Sequence, residues 1–66
     1  MCEVIDERSV SVCDSAIDRY RVAMGDLLGT AVSFTHVDHQ PTLIECRDQS
    51  RLPEFQNLLR QLMQAS

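Results

Sequence analysis

Val10, Cys13, Ile17, Tyr20, Met24 and Leu27 recur at alternating spacings of three and four, the interval that keeps side chains on one side of an α-helix. A face of that length must be buried. In a chain of 66 residues its partner is either the short remainder of the same chain or another molecule. At this size folding hides only about 60% of the surface that the unfolded chain exposes, so disulfides, a metal or oligomerisation commonly supplement the core.

Each supplement leaves a trace in sequence. Apolar residues make up 44% of the chain and charged residues 24%, the balance of a folded domain. Cys2, Cys13 and Cys46 are odd in number and widely spaced, with no CxxC pair, which argues against a disulfide framework. Glu3, Asp6 and Glu7 stand where a secretory leader carries lysine and an apolar run. No segment has the roughly 20 apolar residues of a membrane helix. A soluble, cytoplasmic protein without membrane contact is expected.

The net charge is −4, and most of it comes from the first fourteen residues, where Glu3, Asp6, Glu7 and Asp14 face only Arg8. The six arginines (Arg8, Arg19, Arg21, Arg47, Arg51, Arg60) are dispersed and there is no lysine. Nucleic-acid binders cluster such residues against phosphates, so direct nucleic-acid binding is disfavoured.

Along the chain, residues 1–8 read as a flexible acidic terminus and residues 9–66 as one α+β domain. Ser9 to Cys13 alternates polar and apolar like a short extra strand, yet Val10 and Cys13 also extend the helical stripe. Two capping boxes, Ser11 with Asp14 and Ser15 with Asp18, compete to start the helix. The later start is preferred, because β-branched residues and serines are poor helix formers. From Ser15 to Leu28 the apolar face is Ile17, Tyr20, Met24, Leu27 and Leu28, opposed by Asp18, Val22, Gly25 and Asp26. Gly29 suits the helix cap; Gly25, inside the helix, costs about 1 kcal/mol relative to alanine and either allows close packing or frays it.

Residues 30–37 and 42–47 are rich in β-branched and aromatic side chains and read as a β-hairpin. Pairing Phe34 with Ile44 matches the apolar faces and centres the turn on His39. A last helix follows, with a cap at Ser50, Pro53 in its first turn and an apolar face of Leu52, Phe55, Leu58, Leu59, Leu62 and Met63. The order is helix–hairpin–helix, with no internal repeat.

Chemistry is sparse in this pattern. His36, His39 and Cys46 are the metal or thiol candidates, because imidazoles and a thiolate at a turn suit transition metals. In the hairpin register His36 lies opposite Thr42, which leaves Cys46 four residues, or roughly 13 Å, along the strand. That is too far for a ligand set or a nucleophile–base pair within one chain. Cys46 then reads as apolar filler and His39 as a solvated turn residue. No Gly-rich phosphate loop and no paired carboxylates are present, so no cofactor and no catalysis are expected.

The interaction candidates are Tyr20, Met24, Phe34, Phe55, Leu59 and Met63, each of which is otherwise ordinary core. Two apolar helix faces exceed what a two-stranded hairpin covers, so completion by a homodimer is expected, through the C-terminal helix face or a strand edge. The leading function is a small non-enzymatic interaction or regulatory module that docks on itself and on another protein. The alternatives are an acidic inhibitor of the phage type that occupies a target's nucleic-acid site, and a metal- or thiol-dependent site at His36, His39 and Cys46.

Overall fold

A computed structural model describes residues 2–64. Residues 1, 65 and 66, which the sequence reading gives to the acidic terminus and to the end of the domain, lie outside the described residues. The elements are β1 (Cys2–Asp6), β2 (Ser9–Val12), α1 (Asp14–Leu28), β3 (Val32–Thr35), β4 (Thr42–Cys46) and α2 (Leu52–Gln64). The strands form one antiparallel sheet in the order β1-β2-β4-β3. The chain is a small α+β domain.

The expected hairpin is present as β3 and β4, with Phe34 opposite Ile44. At its tip the Gln40 amide donates to the Val37 carbonyl across 3.0 Å, and His39 takes φ 66. A positive φ at the third position is the pattern of a type II turn.

The helix–hairpin–helix order needs correction at its start. Ser9–Val12 is β2, paired on one side with β1 and on the other with β4, Val10 facing Ile44. Val10 and Val12 are 0% exposed, which explains their alternation with serine in a central strand. Cys13 is the N-cap of α1, and neither serine caps it. The acidic segment carries a strand: Cys2–Asp6 pairs with β2, Val4 opposite Val10, with a bulge between Val4 and Asp6. Asp6 steadies the return by accepting the Arg8 amide at 2.8 Å. Charge at Glu3 and Asp6 obscured the strand, although edge strands are where charge is tolerated.

Strands β2 and β3 are both antiparallel to β4, so they run parallel to each other with β4 inserted between them. The connection β2-α1-β3 is therefore a split β-α-β crossover. Each hairpin is followed by one helix, and the two ββα halves meet at the β2–β4 pair. This repetition lies in topology and leaves no trace in residue identity.

One cluster forms the core: Ile17, Tyr20, Met24 and Leu28 of α1, Phe55, Leu58, Leu59 and Leu62 of α2, and Val10, Val12, Val32, Ile44 and Cys46 from one sheet face. Burial of each large side chain contributes about 1.5–3 kcal/mol. The α1 stripe ends on Leu28 and not on Leu27, which is 60% exposed. Among the described residues no helix lies over the opposite sheet face, which bears Ser11, Ser33, Thr35, Leu43 and Glu45.

Candidate functional site

The predicted interaction residues divide sharply. Tyr20, Met24 and Phe55 are 0% exposed and Leu59 is 7% exposed, so the chain spends all four on its own core. Strands β1 and β2 supply the sheet surface that a lone hairpin lacked. The surplus apolar surface behind the dimer expectation is thereby absorbed, and the grounds for association move to the sheet edges. Phe34 and Met63 are half-buried at the margin of the core.

Phe34 belongs to β3, the terminal strand on one side of the sheet. The Arg21 guanidinium carbon lies 5.8 Å from its ring centroid, within cation–π range. This contact shows that α1 lies with its Arg21 side above β3. Helical spacing puts Asp18 and Gly25 on that same side, with Val22 next to it. Val22 is 63% exposed, and a Cβ added at Gly25 would meet nothing within 4 Å. The β3 margin thus combines an unpaired strand edge, half an aromatic ring, both signs of charge and a glycine notch.

The other margin is different in kind. Strand β1 is bulged and acidic, and its Val4 and Ile5 are 51% and 57% exposed. Between it and α2 runs a groove of about 310 Å³ lined by Val4, Asp6, Glu7, Leu59, Arg60 and Met63. Gln56 Nε2 donates to the Glu7 carbonyl at 3.2 Å and ties the groove's two walls together.

The metal or thiol set does not assemble. His36 Nδ1 is 3.1 Å from Thr42 Oγ1, the cross-strand position that the hairpin register gives it. Cys46 is 5% exposed and its thiol donates to the Asp48 carbonyl at 3.3 Å. Among the described residues no three His, Cys, Asp or Glu side chains are grouped to hold a metal ion.

Sequence reasoning put Val22 and Gly25 on the α1 face opposite the apolar stripe and counted Arg21 only among the dispersed arginines. The available signal was Gly25, whose cost in a helix interior asks for a reason. Among the described residues no helix is long and apolar enough to cross a membrane. Comparison of the chain with protein-family models, with curated proteins and with solved structures finds no match.

Proposed function

We propose that this chain is a non-enzymatic interaction module that joins its partner by strand addition at β3. One observation carries the reading: β3 ends the sheet, and apart from its shortness it has none of the devices that blunt an edge. Val32–Thr35 contains no charge, no proline and no bulge, whereas β1 has both charge and a bulge. Main-chain hydrogen bonds along such an edge supply affinity, and the flanking side chains supply specificity.

The test uses the whole chain, ¹⁵N-labelled, titrated with a peptide copying residues 30–37 and followed by amide hydrogen exchange. Slowed exchange at the β3 amides that face away from β4 is the expected result. Protection confined to β1 and the α2 groove would overturn it, as would open exchange along β3 throughout.

A second reading is supported by the order of β1. Glu3 and Asp6 belong to a paired strand, and Glu45 shares the uncovered sheet face with their partners Ser11 and Ser9. Acids held on a strand suit an inhibitor that occupies a basic, nucleic-acid-binding site. Binding to such a target would weaken steeply with salt, since charge mimicry is screened.

A further inference from the structure

We infer that the partner at β3 is a second copy of this chain, added antiparallel across a two-fold axis to make one eight-stranded sheet. The inference rests on the strand-edge reading above and commits it to an occupant. Charge decides between the two edges. Self-pairing of β1 would bring Glu3, Asp6 and Glu7 of two copies together, a cluster of like charges. Self-pairing of β3 brings together two copies of Val-Ser-Phe-Thr, which carry none.

Area then requires more than the strand. A four-residue strand is about 13 Å long, whereas a stable interface buries about 800 Å² per partner. That is roughly a fifth of the 4411 Å² that this chain exposes. The rest must come from the flank of α1 beside β3. A two-fold axis normal to the sheet sets the two α1 helices antiparallel on the same side. Exposed Val22 supplies apolar contact and Gly25 lets the helices approach closely. Asp18 and Arg21 are both exposed and of opposite sign, so an axis passing midway between them sets Arg21 of each copy against Asp18 of the other and Gly25 against Asp14. The flank is self-complementary, as an isologous interface requires.

Sedimentation velocity on the full chain and on charge variants tests this. The expected result is a concentration-dependent dimer. Arg21→Asp or Asp18→Arg each weakens it by about fivefold, through two symmetry-related repulsions. The double swap restores it. Because both positions are exposed, circular dichroism should report unchanged folding in all three variants. Gly25→Gln, which has room in the isolated chain, should also weaken the dimer. A strict monomer at millimolar concentration overturns the second-copy assignment and leaves the edge reading to the peptide titration. A dimer that the single charge variants leave intact overturns the assignment too. A dimer whose protected amides lie on β1 overturns both readings.

Discussion

Arg51 Nη2 donates to the Leu27 carbonyl oxygen across 2.6 Å, so the turn that leads into α2 closes the end of α1. The last carbonyls of a helix lack intrahelical donors and carry partial negative charge, and a guanidinium answers both needs. The same group is held from behind by Glu54, 2.9 Å from Nη2. Arg51→Lys should lower the melting temperature, because an ammonium cannot serve the carbonyl and the carboxylate in one planar fork. Arg51→Met should lower it further. Thermal unfolding followed by circular dichroism checks the order wild type, lysine, methionine.

The turn before α2 predicts a dependence on acid. Asp48 accepts the Ser50 hydroxyl at 2.6 Å and the Ser50 amide at 3.0 Å, which holds its carboxyl below the ordinary 3.8. Glu54 is held below the ordinary 4.5 by its hydrogen bond from Arg51. A carboxylate depressed on folding contributes stability that is full above its unfolded pKa and lost as the pH falls through the folded one. The midpoint of urea unfolding should therefore be level down to about pH 5 and fall below it. Asp48→Asn keeps the cap and removes one titration, so its stability should fall less between pH 4.5 and 3.

The hairpin and both helices could be read because each rests on local pattern: period two at Val32/Phe34 and Ile44/Cys46, period near 3.6 at Ile17, Tyr20, Met24 and Leu28. Strand β1 was hidden because an edge strand needs only one neighbour and one apolar anchor, here Val4 opposite Val10. The entry to α2 carries a detail that the cap at Ser50 did not anticipate: a 3-10 turn over Gln49–Arg51 precedes Leu52, and Asp48 caps that turn by accepting both Ser50 donors. The surface at Phe34 and Arg21 had no local pattern to betray it. It exists because the split crossover lays one side of α1 above β3, and that juxtaposition spans residues far apart in sequence.

The tip of the hairpin carries a removable strain. His39 holds φ 66, where a Cβ is crowded, although histidine tolerates the left-handed region better than most residues. Its ring is exposed and forms no part of the core. His39→Gly should raise stability by roughly 0.5–1 kcal/mol, the relief of the left-handed penalty less the added entropy of an unfolded glycine. His39→Val, β-branched, should lower it by about 1 kcal/mol or more. Chemical denaturation at fixed pH separates the two outcomes, and a stabilising valine would contradict the strain.

Gly25 offers the sharpest separation of folding from association. It occupies a helix interior, where glycine is about 0.5–1 kcal/mol worse than alanine, and its surroundings leave a Cβ open space. Gly25→Ala should therefore stabilise the isolated chain by about that amount, as measured at a concentration where sedimentation gives the monomer. If the glycine serves only the single chain, larger helix formers such as glutamine should stabilise it about equally and leave the sedimentation profile unchanged. If it serves as the notch between two α1 helices, stability and association should move in opposite directions: Gly25→Gln melts higher when dilute yet self-associates less when concentrated. Alanine should fall between the two, since one methyl group narrows the notch without filling it. The proposed pair would explain a glycine placed against helix propensity, and the two measurements on one variant decide it.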